Sequence, residues 1–426
     1  MPLLGSALSI LGNPNPFLLE QYRRLGPIFR LHAVHHRFTV LAGPEANALF
    51  SRSADKHLHA EPSWRAFNTN FGATCVAPGI DGPPHHRVRK MLQRGYSRGA
   101  ILRRLPEAVA IARRVLDRFA PGPVALVPLC RAIVTEQLGT LVLGRGPGEY
   151  LDDLSRNIRF ALNCLVTRQW PAAMLRLPAY QRARRRFFEF ADAILAARGK
   201  PGAPNSDLLD DMQAFVDADP SALSEADKQM VAMGPFIAGL DTVANTVAFL
   251  MYALLREPAV LGRVEADAHA LLADPGSLSG ERLAEARAVN GAVQETLRLY
   301  PIAPLIFRHV AAPFDFGGYH VPSGEPVLFA TTMVHHMPEY FPDPLRFDID
   351  RYERPARRGA AICSFGLGPH TCLGSGFAEV QMQVIAAALL HYARFTLEPG
   401  ARPPRIRQDP TLTLGNRYKV RLAELR

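Results

Sequence analysis

Phe365-Gly366-Leu367-Gly368-Pro369-His370-Thr371-Cys372-Leu373-Gly374 sets one cysteine among glycines, with an aromatic residue seven positions upstream. A sulfur that has to reach a metal needs backbone packed closely around it, and Gly366, Gly368 and Gly374 permit turns and approaches that a Cβ would block. From Gly374 to His391 apolar residues recur at helical spacing (Phe377, Val380, Val384, Leu389). That pattern predicts a helix whose N-terminal amides and positive dipole end lie beside Cys372 and favour its thiolate. A lone cysteine in a glycine-rich turn is more often a small buried hydrophobe, so the decision rests on the rest of the chain.

Working outward, Phe341-Pro342-Asp343-Pro344-Leu345-Arg346-Phe347 precedes the loop, and Glu295-Thr296-Leu297-Arg298 precedes that segment, followed by Leu299-Tyr300-Pro301. Glu295 and Arg298 stand three apart, on one face of a helix. Further upstream, Ala238-Gly239-Leu240-Asp241-Thr242 lies inside an apolar stretch from about Ala226 to Arg256. Burial makes Asp241 costly unless it is hydrogen-bonded. The Thr242 hydroxyl can donate to and accept from a small ligand, or bond back to a carbonyl of its own helix. Gly239 costs a helix interior up to about 1 kcal/mol and is tolerable where a ligand approaches the backbone. Pro235 removes a ladder hydrogen bond and predicts a kink or local widening just before this site. Nearer the N-terminus, His85-His86-Arg87-Val88-Arg89 follows the turn Asp81-Gly82-Pro83-Pro84 and opens a helical pattern, with His85 and Arg89 four apart on one face. At the other end stand Thr411-Leu412-Thr413-Leu414 and Tyr418-Lys419-Val420.

In this order the segments resemble those of the cytochromes P-450, the heme-thiolate monooxygenases, and the resemblance runs from about Asp81 to Val420. It implies a mainly α fold with small β-sheets (α+β), a triangular helix-rich single domain over residues 1–426. Heme b would lie between the long central helix and the helix after the cysteine loop. Cys372 would be the iron ligand, its thiolate pushing electron density toward O–O cleavage, with Phe365, Gly366 and Gly374 shaping the loop against the heme. His85, Arg89, Arg308 and His370 would hold the heme propionates. Asp241 and Thr242 would deliver protons to bound dioxygen. Glu295, Arg298 and Arg346 would form a structural triad locking the meander beneath the heme. The terminal segments would form a hairpin reaching the pocket. One departure stands out: where the family often has Asn-Arg-Asp-Pro, this chain has His335-His336-Met337-Pro338, which leaves the hydrogen bonding beside the meander open.

By position the pocket walls would be Trp64, Phe67, Phe71, Phe236, Ile237, Ala238, Ile302, Leu305 and Leu412. An apolar, aromatic lining predicts a hydrophobic substrate (terpenoid, polyketide or fatty acyl), with Arg65 or Asn68 as readers of a carboxylate or hydroxyl. The implied activity is hydroxylation or epoxidation with dioxygen and two external electrons, with secondary metabolism as its setting. No flavin or iron-sulfur segment is visible, so the resemblance implies a separate carrier, a ferredoxin or flavodoxin with an NAD(P)H reductase. Two other readings remain: a peroxide-driven or rearranging enzyme of the same fold, against which the Asp241-Thr242 pair speaks, and a degenerate ligand-binding or carrier-docking protein, whose expected erosion of Cys372, Thr242 or Glu295 is not seen.

Composition bounds the rest. Hydrophobic residues make up 48% and charged residues 21% of the 426, which suits a globular core. The net charge of +10 gathers at Arg103-Arg104, Arg113-Arg114 and Arg182 to Arg186 without a nucleic-acid motif, so a solvated basic face is expected there and nucleic acid is not; by the resemblance, the charges from His85 to Arg94 are the better candidates for steering an acidic electron carrier. The five cysteines follow no disulfide or zinc spacing. The adjacent pairs His35-His36, His85-His86 and His335-His336 diverge on a regular element. The start lacks a basic leader, and apolar runs such as Val247 to Leu255 read as too short to span a bilayer. A soluble, cytoplasmic monomer with no membrane anchor is the expectation, the segment Arg198 to Asn205 forming a surface loop.

Overall fold

Ser224 caps the longest helix of the chain, Glu225–Leu254: its hydroxyl accepts the Asp227 N–H, and the Asp227 carboxylate accepts the Ser224 N–H in return. The computed structural model describes all residues except 1–5, 34–35, 199–205, 356–361 and 401. The leader reading at the extreme start, His35 and the loop at 199–205 therefore fall outside the described residues.

The helices that build the site are α1 (Pro44–His57), α2 (Glu61–Phe71), α3 (Gly82–Leu92), α4 (Leu126–Leu143), α5 (Leu151–Ala161), α6 (Pro178–Arg198), α7 (Glu225–Leu254), α8 (Arg287–Leu299) and α9 (Ser375–Tyr392). α7 is apolar all round and buried on most sides, packed against α4, α6, α8 and α9. Its backbone stays α-helical through Pro235, with none of the expected widening. Both α4 and α7 are long and apolar enough to cross a membrane, contrary to the sequence expectation, yet 72% and 78% of their apolar windows are buried inside the fold. Their apolarity supplies a core.

The main sheet runs β1 (Ile28–Ala33), β2 (His36–Ala42), β3 (Leu58–His59), β4 (Ile306–Val310) and β5 (Pro326–Ala330), in spatial order β1-β2-β5-β4-β3. Only β2 and β5 pair in parallel, with Thr39 opposite Val327. One face of this sheet presents Phe29, Val40 and Leu328, packed with Leu18 of the helix Asn15–Leu25, and the other presents Leu41, Val327 and Phe329, packed with Phe50 of α1. The sheet is thus apolar on both faces and holds Arg308 at a fixed place beside α1. The expected terminal hairpin is not formed as read. Leu412–Thr413 pairs with Arg407–Gln408, while Lys419–Leu425 pairs with Gly122–Ala125 and Ala393–Leu397.

Candidate active site

The cysteine loop is closed by two backbone bonds, Gly366 N–H to Cys363 O at 3.0 Å and Cys372 N–H to Phe365 O at 2.8 Å. Gly368 has φ 69°, and a Cβ there would stand 2.7 Å from the Phe50 carbonyl oxygen of α1, so the loop lies directly on that helix. Gly374 is different: its φ is −93° and an added Cβ would meet nothing nearer than Tyr96 at 3.8 Å. The steric need expected there is absent. Its contribution is its N–H, which hydrogen-bonds the Cys372 sulfur. α9 begins at the next residue, as the spacing predicts. The crowding around Cys372 nevertheless raises its thiol above the ordinary value, outweighing the Gly374 N–H and the Arg89 charge, which both lower it.

Cys363, at the start of the same loop, is a contrasting thiol. It is buried, contacts Asn47 Nδ2 at 3.6 Å, and burial pushes it up to about 11. Protein atoms crowd Cys372 on most sides, yet it keeps open surface and is the exposed one among the described cysteines.

Around the loop stand four basic side chains from three elements. His85 and Arg89 come from α3, Arg308 from β4, and His370 from the loop itself. The His85 and His370 rings stack at 3.9 Å with 22° between planes. His370 Nε2 lies 3.0 Å from Asp81 Oδ1. Burial alone would raise the Asp81 carboxyl, but His370 and the N–H groups of Ala60 and Glu61 hold it at about 2. Burial, then the neighbouring His370 and Arg89, pushes His85 down to about 3. His85 Nδ1 is buried and unpartnered. Arg308 donates only to the Phe307 carbonyl at 2.7 Å and lies over the Phe50 ring, and burial pushes its guanidinium down to about 10. Neither Arg89 nor Arg308 has a carboxylate partner among the described residues. Two cations withdrawn from water and a buried imidazole nitrogen with no hydrogen-bond partner call for an anionic group. The two carboxylates of heme b fit that demand beside an open cysteine thiol.

On α7 the Thr242 hydroxyl donates to the Ala238 carbonyl at 2.7 Å, the self-satisfied arrangement left open by the sequence. Asp241 is buried and takes a two-pronged ion pair from Arg131 of α4, at 2.8 and 3.0 Å. Burial raises its carboxyl above the ordinary range, and Arg131 pulls the other way without cancelling it. Arg131 is also tied to Asn416 Oδ1 at 3.2 Å. One turn on, Asn245 bonds the hydroxyls of Thr411 and Thr413. A Cβ on Gly239 would stand 2.8 Å from Leu138 Cδ1. That glycine lets α4 close on α7, a packing reason in place of the ligand approach expected.

The triad is corrected at its third member. Glu295 and Arg298 are wholly buried and paired at 2.7 Å. The second arginine on Glu295 is Arg351, at 3.1 Å, with Tyr352 Oη adding a bond at 2.9 Å. Arg346 points its side chain to solvent and offers only its carbonyl, to Arg298 Nη2 at 3.2 Å. The chain bends at Asp343 and Asp348 so that Arg351, not Arg346, returns to the helix. His335 fills the place left open by the departing sequence: its Nδ1 meets the Arg298 carbonyl at 3.1 Å and its Nε2 accepts the Cys363 N–H at 2.8 Å.

Among the wall candidates, Phe67, Phe71, Phe236, Ile302 and Leu412 are closed into the core. Phe236 packs on Phe190 at 5.7 Å, and Leu412 donates its N–H to the Ile302 carbonyl at 3.0 Å. Trp64, Ile237, Ala238 and Leu305 remain open or partly open, joined by Ala303, which the sequence did not single out. Asn68 is turned inward to the Gly79 carbonyl. Asp81, Arg131, Asn245, Arg351 and His335 were also missed as partners. No local pattern links Arg131 to an acid 110 residues away.

Comparison with known proteins bears on this arrangement. The family model described as Cytochrome P450 matches residues 1–421. Sterol 14alpha-demethylase of Mycolicibacterium vanbaalenii is 27% identical over 87% of this chain and 83% of its own. Cyclooctat-9-en-7-ol 5-monooxygenase of Streptomyces melanosporofaciens is 28% identical over 75% and 72%. The retinoic acid-bound cyanobacterial CYP120A1 superposes with a TM-score of 0.83 at 23% identity, over 100% of this chain and 98% of that one, a likeness of fold.

Proposed function

Since the chain belongs to the cytochrome P450 family, we propose that it inserts one atom of dioxygen into a C–H bond or double bond of a hydrophobic small molecule, with Cys372 as the iron ligand. Its class is that of the oxidoreductases that incorporate molecular oxygen, and its cofactor is heme b. Bound heme supplies the reduction and cleavage of dioxygen, chemistry that a thiolate ligand favours. The observation that carries the residue assignment is the open Cys372 thiol, hydrogen-bonded by the Gly374 N–H and flanked by Arg89 and Arg308 with no anion of their own.

The protein's own groups divide the work. Gly374 N–H stabilises negative charge on the Cys372 sulfur. Arg89, Arg308 and His85 bind carboxylates at the edge of the site. Asp241, raised by burial and steadied by Arg131, is suited to take up and release a proton. Thr242 donates its proton to Ala238 O and keeps lone pairs free to accept a hydrogen bond from water or a substrate-side group. The open apolar faces of Trp64, Ile237, Ala238 and Leu305 favour a hydrophobic substrate and exclude bulk water.

Electrons come from a separate ferredoxin or flavodoxin with its NAD(P)H reductase, steered by the basic surface. The enzyme acts as one cytoplasmic domain, a reading supported by the burial of α4 and α7 in the fold. Turnover of a hydrophobic substrate with reductase and NAD(P)H is the test. Turnover with peroxide alone would favour the peroxide-driven reading instead.

A further inference from the structure

The sequence offers Arg65 as a reader of a substrate carboxylate, but that guanidinium is occupied, donating to Glu61 at 2.7 and 2.8 Å. Another arginine stands free. α5 runs on into a π-helical turn, Leu162–Val166, and just beyond it Arg168 adopts φ 54°. This left-handed conformation is one that residues with a Cβ avoid, and such outliers gather at ligand-binding positions. Arg168 is exposed and has no carboxylate partner among the described residues.

α2 packs against both the π turn and β4, which brings Arg168, Arg65 and His309 to one corner of the fold. His309 Nδ1 is buried there without a hydrogen-bond partner. Burial first, then Arg168 and Arg65, keeps that imidazole below its ordinary value, so it is neutral and can offer one N–H. Inward from the corner the lining turns apolar. The His309 ring meets Phe307 edge-on at 5.1 Å, and Phe307 meets Phe38 at 5.7 Å. By strand alternation the same face continues to Leu305, one of the open pocket positions.

We propose that this corner is the head-group subsite of the substrate channel, and that the substrate is an amphipathic carboxylic acid held by Arg168 and His309 with its apolar body along Phe307 and Leu305. The proposal rests on the monooxygenase reading above. A guanidinium fork matches a carboxylate in two parallel hydrogen bonds, and a neutral imidazole N–H adds a third. Glu61 neutralises Arg65, so the corner carries one net cation, enough for one carboxylate.

The test is calorimetric binding of palmitate and methyl palmitate, and of abietate and methyl abietate, to the wild type, Arg168→Gln and Arg168→Lys. In the wild type at least one acid binds roughly tenfold tighter than its ester, the worth of one charge-assisted contact. Arg168→Gln removes that preference and leaves ester binding unchanged, and Arg168→Lys keeps part of it. Acids that bind no tighter than their esters, or a preference that survives Arg168→Gln, overturn the proposal. The reduced, carbon monoxide-bound spectrum of the same preparations is read separately. Loss of a thiolate spectrum there would sink the monooxygenase reading and leave the head-group result standing.

Discussion

If Asp241 delivers protons as proposed, turnover depends on the environment of its carboxylate. Its carboxylate is buried, and Arg131 supplies the opposite charge. Removing one partner of such a pair leaves an uncompensated charge, at a cost of about 3 kcal/mol. Arg131→Met should therefore lower stability by that order in urea titration. It should also move the acidic limb of the pH–kcat profile upward, because loss of the cation lets burial raise the Asp241 carboxyl further. Asp241→Asn and Thr242→Val should each lower kcat by roughly a hundredfold with little change in substrate Kd; equal effects on kcat and Kd would count against a proton-delivery role. Asp241 and Thr242 could be singled out in the sequence because both residues sit in one motif. Arg131 was not, because tertiary packing of α4 on α7 joins it to Asp241. The same holds for Asp81, read as a turn residue and found as the anchor of His370.

At the scale of the element, the cysteine loop and the meander separate what a motif can give from what only geometry can. The glycines of the loop all read alike in sequence. In the fold Gly368 is pressed against the α1 backbone, whereas Gly374 has room for a methyl group. Gly368→Ala should abolish heme retention or folding, and Gly374→Ala should retain the cofactor, as read by heme absorbance per protein. The meander shows the reverse problem: two arginines lie within reach in sequence, and the chain's bend selects Arg351. Arg351→Ala should cost about 3 kcal/mol or more, since Glu295 is buried, while Arg346→Ala should stay within about 0.5 kcal/mol, as exposed substitutions do. His335 adds a pH signature. Burial holds it at about 3, against an ordinary 6.5. Between those values the unfolded chain binds the extra proton, so stability present above about 6.5 is lost as pH falls toward 3. The loss is about 1.4 kcal/mol per pH unit. His335→Gln should flatten the slope of stability between pH 6.5 and 5 by that amount.

The whole molecule couples a buried site to a basic exterior. Arg87, Lys90 and Arg98 are exposed around α3 and the start of α9, on the side where Cys372 lies. If an acidic electron carrier docks there, the rate of its reaction should fall steeply with ionic strength. Arg98→Glu should lower kcat/KM for the carrier roughly tenfold while leaving the carbon monoxide spectrum intact. The helix-rich architecture was legible from motif order and from the apolar stretches that became α7 and α9. The pocket was less so. Aromatic residues at wall positions look the same whether they face a ligand or one another, and the run of edge-on and tilted ring contacts from Trp64 through Phe67 and Phe71 to Phe187 shows Phe67 and Phe71 serving as core.

On the reading proposed here, Cys372 is the residue through which the protein holds iron. Its most direct test is the absorption spectrum of the reduced, carbon monoxide-bound protein for the wild type, Cys372→Ser and Cys363→Ser. Thiolate ligation by Cys372 gives a strongly red-shifted Soret band in the wild type and in Cys363→Ser, lost in Cys372→Ser. A band that survives Cys372→Ser, or one that vanishes instead with the buried Cys363, would contradict it.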